Sequence, residues 1–270
     1  MKFENTWTGN WAGAFHGLRH PMESYARSDS DFGIAENDIW LSECIHEVLS
    51  SYEDEKELSD EEHDEKLNWF YETGILQWGK HAAEFALIGK NDLDLAQRMI
   101  KAGTPNDKFL RQIFVSVDIT APLYWWKEMD TYKVGTTANS TSTMHKLAST
   151  PITKECFEMD DYKGDLLMYE REPYDFDQHL DEIWECHIND CETLRKRYLE
   201  TKDIRYWKEL IRMLPESWLQ TRQFTCNYAV LRNIIHWRST HRLTEWHQFV
   251  NWCKTLPYSE ELLFYENRPE

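Results

Sequence analysis

Two arginines are the residues in this sequence that are best suited to bind an anion. Arg212 ends one predicted helix, and Arg238 lies five residues after Asn233 on another. The planar guanidinium group of arginine donates paired hydrogen bonds that match a phosphate or a carboxylate. The alternative is that both arginines pair with acidic side chains, of which the chain has 48. Spacing alone favours these ion pairs, so an anion site needs further support.

A run of small polar side chains, TTANSTSTMHK, occupies residues 136–146 after a segment rich in aromatic residues. Such side chains pack poorly in a core, so the run is either an exposed linker or a loop that holds a polar ligand. We favour the loop, because its hydroxyl and backbone N–H groups suit an anion. Ser140 and Ser142 lack the G-x-S-x-G turn of a nucleophilic serine, so a serine hydrolase is not expected.

Residues that commonly bind metals are present but poorly grouped. His16 and His20 lie four residues apart, as two ligands on a helix would, but no third ligand is evident. Cys186 and Cys191 lie five residues apart, which turns their thiols away from each other on a helix. The sequence has no HExxH, P-loop or GxGxxG motif. We therefore expect no metal site.

One strand stands out among the elements that would position these residues. In QIFVSVDIT, residues 112–120, the apolar residues Ile113, Val115, Val117 and Ile119 occupy every second position. Strict alternation of this kind predicts a strand with one buried face.

Helical patterns surround the predicted strand. Pro122 precedes a predicted helix that ends at Gly135, and Pro215 stops another helix at Leu214. A long helix that carries Arg238 is predicted to begin near Asn227. The other predicted helices cover residues 37–52, 67–89, 92–103 and 178–200.

The composition limits the class of partner. The 270 residues carry a formal net charge of −18, which repels nucleic acid and anionic membrane but leaves room for a local basic pocket. No apolar run approaches the roughly 20 residues that cross a bilayer. The N-terminal residues lack the apolar region of a signal peptide, and the six cysteines form no CxxC pair. We therefore expect reduced thiols and a cytoplasmic location.

The order of these features resembles the flavin-dependent thymidylate synthases. In that family a strand enters a helix through an Ala/Val-Pro step. The signature RHRxxSxNExSxRY follows, and later ARxVLP and a helix reading TxNxRxLxNFxxLR. Here ITAPLYWW, TANSTSTMH, IRMLP and TCNYAVLRNIIHWR take the corresponding places. The resemblance spans about residues 109–256 and is most specific over Thr225–Arg238.

The resemblance implies which residues bind a nucleotide. The family's signature Glu and Ser hold dUMP, and here Ser140 and Ser142 take their places. Arg212 and Arg238 match arginines that face dUMP, so they are the expected catalytic residues, which polarise the uracil. The signature's arginine that grips the nucleotide is replaced by Met144.

The resemblance also implies a weakened cofactor site. In the family, the Arg-His-Arg triplet and the middle arginine of the last helix bind FAD. Here Tyr132, Lys133 and Val134 replace the triplet, or Thr131, Tyr132 and Lys133 if the alignment lies one residue earlier. Ala229 replaces the middle arginine. Each charged hydrogen bond is worth roughly 1.5–3 kcal/mol, so losing two or three weakens FAD binding about a thousandfold. The predicted cofactor-binding residues that are left are Asn139, Asn233 and Lys133.

Two functional hypotheses follow from the resemblance. It implies an α+β fold, with a curved antiparallel sheet flanked by long helices, in a single domain spanning residues 1–270 that forms homotetramers. The first hypothesis is methylation of dUMP to dTMP with FAD, NADPH and methylenetetrahydrofolate, in which reduced flavin supplies hydride and no enzyme nucleophile is needed. The alternative is a protein on the same scaffold that binds or sequesters a nucleotide without this reaction. Retention of Arg212 and Arg238 beside loss of the triplet favours the alternative.

Overall fold

The structure is a computed structural model that describes residues 1–52, 59–78, 83–142, 147–160, 162 and 180–266. The chain combines helices with antiparallel strands, which confirms the predicted α+β class. The described helices are α1 (Trp11–Arg19), α2 (Asp38–Leu49), α3 (Asp60–Thr73), α4 (Lys90–Ala102), α5 (Leu123–Met129), α6 (Leu180–Thr201), α7 (Ile204–Met213), α8 (Tyr228–Arg238) and α9 (Thr244–Cys253). The described strands are β1 (Lys2–Gly9), β2 (Asp31–Ala35), β3 (Ile75–Trp78), β4 (Ala83–Leu87), β5 (Phe114–Pro122), β6 (Thr137–Ser140) and β7 (Leu219–Asn227).

A three-stranded antiparallel sheet has the strand order β2-β4-β3. It corrects the prediction of one helix over residues 67–89, because α3 ends at Thr73 and two strands follow. The residues of β4 are nearly all buried, and a continuous apolar run of this kind does not distinguish a buried strand from a buried helix. Tertiary contacts decide the outcome: the Tyr258 hydroxyl donates to the carbonyl of Ala86 at 2.7 Å.

A four-stranded sheet has the order β1-β5-β7-β6. The alternation that predicted β5 is confirmed, since Val115, Val117 and Ile119 are fully buried. Strand β7 was not predicted, because its residues show no strict alternation of polar and apolar side chains.

Four residues of the polar run form a strand rather than the predicted loop. Thr137–Ser140 forms β6, an end strand of the sheet. The backbone N–H of Thr141 donates to the carbonyl of Thr221 at 2.9 Å, just after β6. An end strand tolerates small polar side chains because they remain exposed to water. Residues 143–146 of the run, which include Met144, lie outside the described residues.

Helix ends follow the sequence signals at several places. The side-chain oxygen of Asn227 accepts a hydrogen bond from the N–H of Val230 at 3.0 Å, so Asn227 caps the start of α8 as predicted. Helix α7 ends before Pro215, also as predicted. The helix that was expected to reach Gly135 ends instead at Met129.

The described chain divides into two compact units, each with its own buried residues. The first unit comprises Met1–Lys2, Ile119–Thr131 and Asn139–Arg222, and the second comprises Phe3–Asp118, Tyr132–Ala138 and Gln223–Glu270. That the whole chain is one domain stays a prediction. One buried cluster of the first unit consists of Leu147, Ile152, Phe157, Cys191 and Leu210. One buried cluster of the second unit consists of Ala35, Leu41, Cys44, Ile45, Val48, Leu49, Phe70, Ala83, Phe85 and Leu87.

Within the described ranges of the chain, no helix has both the length and the apolarity that crossing a bilayer requires.

Candidate functional site

Arg238, the last residue of α8, is surrounded by aromatic side chains in the second unit. Its Nε donates to the hydroxyl of Tyr132 at 2.9 Å. Its guanidinium carbon lies 4.5 Å from the ring centroid of Trp246 and 5.5 Å from that of Tyr132. We call Tyr132, Arg238 and Trp246 the Arg238 cluster. A guanidinium over an aromatic face gains about 0.5–2 kcal/mol, more as it loses contact with water.

The residues of the Arg238 cluster come from α8, from α9 and from the segment between α5 and β6. Trp246 is fully buried on α9, and its ring meets that of Tyr132 nearly edge-on, with centroids 6.3 Å apart. Tyr132 lies between α5 and β6, in a segment that turns at Gly135 with a φ of 75°. A Cβ at this glycine would lie 3.2 Å from side-chain atoms of Asn227 and Val230, so the turn favours glycine for both its backbone angle and its packing.

The predicted cofactor residues of the second unit are exposed. Lys133 follows Tyr132, and Asn233 lies on the outer side of α8. Five residues of helix correspond to a rotation of roughly 140° between side chains, so Asn233 and Arg238 point in different directions. The structure therefore does not bring these two retained residues to one face of α8.

The predicted residues of the polar run belong to the first unit. Asn139 and Ser140 are exposed at the end of β6, and Ser142 is half-buried. The side-chain amide of Gln220 donates to the carbonyl of Thr141 at 3.0 Å, which fixes the chain between these serines. The hydroxyl groups therefore lie on an ordered strand end.

Arg212 lies on the exposed side of α7, also in the first unit. Its Nη1 donates to a carboxylate oxygen of Glu209, one turn earlier on the helix. Just over half of the Arg212 side chain is exposed, at 56%. The ion-pair alternative from the sequence therefore describes Arg212 in this structure.

The histidines and cysteines considered as metal ligands have other contacts. Nδ1 of His20 lies 2.7 Å from the hydroxyl of Tyr25, whose ring stacks on that of His16. Burial raises the pKa of the Cys191 thiol to about 11, which disfavours the thiolate that binds metals. Within the described ranges, no three His, Cys, Asp or Glu side chains are grouped as a metal site would require.

Solved structures resemble this chain, although no family model and no curated protein matches its sequence. Among solved structures, a flavin-dependent thymidylate synthase, ThyX from Helicobacter pylori complexed with FAD and dUMP, is 13% identical with a TM-score of 0.55. The match covers 98% of this chain and 99% of that one. A second structure of Helicobacter pylori ThyX with FAD and dUMP is 14% identical with a TM-score of 0.54, and 97% of each chain is covered.

This chain has the fold of a flavin-dependent thymidylate synthase. The similarity extends over nearly the whole length of both chains, although fewer than one residue in six is identical. It therefore supports the resemblance at the level of fold, while the roles of individual residues stay predictions.

A further arginine of this thymidylate-synthase-like fold was missed by the sequence analysis. Arg222 of β7 lies over Trp126, with its guanidinium carbon 4.4 Å from the ring centroid. Its Nε donates to Gln220 at 3.0 Å, and its Nη1 donates to Asp130 at 2.8 Å. No local sequence pattern marked this arginine, because Trp126 and Asp130 lie outside β7. Arg222 thus lies beside Gln220, whose side chain donates to Thr141 of the polar run.

The predicted site residues are suited to hydrogen bonding with an anion. Arginine and serine side chains donate hydrogen bonds to phosphate and carbonyl oxygens. Burial raises the pKa values of Cys226 and Cys253, so neither thiol is a reactive nucleophile at neutral pH.

Proposed function

We propose that this chain is a pyrimidine-nucleotide-binding protein on the flavin-dependent thymidylate synthase fold. The observation that carries the proposal is the Arg238 cluster, which restricts an arginine that, by the sequence resemblance, matches one facing dUMP in the family. The similar structures from Helicobacter pylori both contain dUMP.

Arg238 suits an anionic or carbonyl ligand for a physical reason. A flexible arginine loses about 2 kcal/mol of rotamer entropy when it becomes ordered. In this structure a hydroxyl and two rings already restrict the side chain, so less entropy remains to be lost on binding. A phosphate or a uracil carbonyl would then accept its hydrogen bonds.

The residues at the predicted flavin site fit FAD poorly. The hydroxyl of Tyr132 accepts a hydrogen bond from Arg238, and Val134 has no charge and is 88% exposed. Lys133 is the one cation that replaces two arginines and a histidine of the family triplet. We therefore propose weak FAD binding and expect the purified protein to show no flavin absorption band near neutral pH.

Catalysis of dUMP methylation, with FAD, NADPH and methylenetetrahydrofolate, is the second candidate. The extent of the fold similarity favours it, since 98% of this chain matches a synthase that was crystallised with FAD. Expression in a bacterium that requires thymidine separates the two candidates. We expect no growth without thymidine, and full growth would establish the second candidate.

Calorimetric titration with dUMP tests the proposed binding directly. A hydrogen bond to a charged group is worth roughly 1.5–3 kcal/mol, so Arg238→Ala should weaken dUMP binding about 10- to 100-fold. Arg242→Ala removes an exposed arginine of the same unit and serves as the matched control. If Arg238 were only structural, its removal would lower the melting temperature and leave dUMP affinity unchanged. A wild-type protein that binds no pyrimidine nucleotide would exclude the proposed function.

We also propose that the protein is a cytoplasmic homotetramer. Large apolar side chains are exposed in the single chain, among them Ile39 at 74%, Trp78 at 58% and Trp237 at 66%. Contacts between subunits would remove such surface from water. Light scattering at micromolar concentration should give four times the 32.5 kDa chain mass. A mass near that of one chain would exclude the tetramer.

A further inference from the structure

Tyr132 occupies the place of the family's triplet, but its contacts in this structure are with Arg238 and Trp246. We infer that Tyr132 and Trp246 are positioning residues, which fix the guanidinium group of Arg238 in the orientation that binds the nucleotide. The inference rests on the proposed function, because it assigns the way in which that function's arginine is held.

The hydrogen bond at Nε gives the guanidinium group a direction. With Nε bonded to the Tyr132 hydroxyl at 2.9 Å, the edge that contains Nε faces Tyr132. The edge formed by Nη1 and Nη2 points away from that hydroxyl, because the group is planar. This second edge is one that donates two parallel hydrogen bonds to a phosphate or carboxylate.

The aromatic ring of Trp246 supports one side of the guanidinium group. Its centroid lies 4.5 Å from the guanidinium carbon of Arg238, so the cation packs against the ring. Trp246 is itself fully buried, and its ring meets that of Phe249 edge-on at 5.9 Å. Because core packing holds the Trp246 ring in place, the ring does not move with the Arg238 side chain. Trp246 is therefore a fixed support for the guanidinium group.

The backbone at Tyr132 is also held in place. The hydroxyl of Thr136 donates to the carbonyl of Tyr132, which closes a short turn of five residues. Gly135 lies within that turn in the left-handed region, with a φ of 75°. Thr136, the first residue of the polar run, therefore holds the backbone of Tyr132, which contacts Arg238.

A purely structural role for the cluster is the alternative. Energetically significant cation–π pairs occur about once per 70–80 residues, so the contact with Trp246 alone does not indicate function. A structural role predicts that Tyr132→Phe changes stability and leaves nucleotide affinity unchanged. Positioning predicts a loss of affinity that depends on the presence of Arg238.

A double-mutant cycle with dUMP distinguishes the two roles. Tyr132→Phe keeps the ring and removes the hydroxyl, and we expect dUMP affinity to fall about tenfold. In an Arg238→Ala background the same change should have no further effect, because the group that it orients is gone. Tyr71→Phe, at an exposed tyrosine of the same unit, is the matched control and should change neither affinity nor stability.

Chemical reactivity gives a readout that needs no nucleotide. Phenylglyoxal modifies accessible arginines, and peptide mass spectrometry locates the modified residue. We expect Arg238 to react several-fold faster in Tyr132→Phe and in Trp246→Phe than in the wild type, because each change frees the guanidinium group.

The outcomes separate this inference from the proposed function. Absence of dUMP binding by the wild type overturns both. Binding that Arg238→Ala weakens and Tyr132→Phe does not, with an unchanged reaction of Arg238 with phenylglyoxal, overturns the inference and leaves the proposed function standing. Equal losses from Tyr132→Phe with and without Arg238 also overturn it, since the hydroxyl would then act independently of the arginine.

Discussion

Charged side chains are buried around Asp92 in the second unit and are exposed on α7 in the first unit. Asp92 is fully buried and accepts hydrogen bonds from Nε of Arg19 at 2.7 Å and from the hydroxyls of Ser28 and Ser30 at 2.6 and 2.7 Å. On α7, Arg212 pairs with Glu209 in contact with water. We call the first group the Asp92 cluster.

The difference shows that an arginine's role follows from its surroundings rather than from the charge of the chain. Breaking a buried pair leaves a charge without compensation, whereas an exposed pair contributes about 0–1 kcal/mol. Arg238 is intermediate: it is half-buried, and its described contacts include a hydroxyl and two aromatic rings. We therefore expect removal of Arg238 to affect folding less than removal of Arg19, and to affect ligand binding more than removal of Arg212.

The largest expected effect is on the Asp92 cluster. Asp92→Ala removes the partner of buried Arg19 and should lower the free energy of unfolding by about 3–5 kcal/mol. Asp94→Ala removes an exposed partner of Lys90 on the same helix and should cost less than about 1 kcal/mol. Urea unfolding of both variants measures the difference. Equal losses would mean that burial does not distinguish the two regions.

Some elements of the fold were predictable from the sequence, and others were not. The alternating pattern of Val115 and Val117 predicted β5, and Asn227 predicted the start of α8, because both signals are local. The residues that follow Thr73 were wrongly predicted as helix, since the burial of β4 on both faces removes the alternation that identifies a strand.

The candidate site was predicted less fully than the fold. The position of Arg238 on a helix was predicted, but its partner Tyr132 lies 106 residues away in sequence. The ion pair that spacing favoured for Arg212 is formed with Glu209, one helical turn away. Contacts between distant residues depend on how whole elements pack together, and local sequence patterns do not show this packing.

A smaller effect is expected from a bidentate pair in the first unit. Glu192 accepts hydrogen bonds from Nε and Nη2 of Arg195, both at 2.7 Å, and from the N–H of Ile152 at 2.9 Å. The hydrogen bonds from Arg195 are the main cause that lowers the pKa of Glu192 from 4.5 to about 2. The Glu192 side chain is 17% exposed, so this pair lies between the two extremes.

The lowered pKa predicts a loss of stability in acid. Because the folded state binds the proton less readily than the unfolded state, the stabilisation is present above about pH 4.5 and is lost as the pH falls towards 2. Its size should be about 1–3 kcal/mol. Glu192→Gln should therefore flatten the dependence of unfolding free energy on pH in this range, while Glu200→Gln, at an exposed residue, should not. A wild-type protein equally stable at pH 5 and pH 2.5 would contradict the assignment.

The smallest effect on stability is expected at Arg212. Arg212→Ala breaks one exposed pair on α7 and should change the free energy of unfolding by less than about 0.5 kcal/mol. If Arg212 also binds the nucleotide, it must exchange Glu209 for the ligand, so its removal should weaken dUMP binding only about threefold, less than Arg238→Ala does. Arg205→Ala is the matched control, because Arg205 lies on the same helix and pairs with Asp203. Titration with dUMP beside a thermal melt measures both quantities. An affinity loss at Arg212 as large as that at Arg238 would show that an exposed, paired arginine binds as well as a positioned one, and the comparison between the two regions would then have no bearing on function.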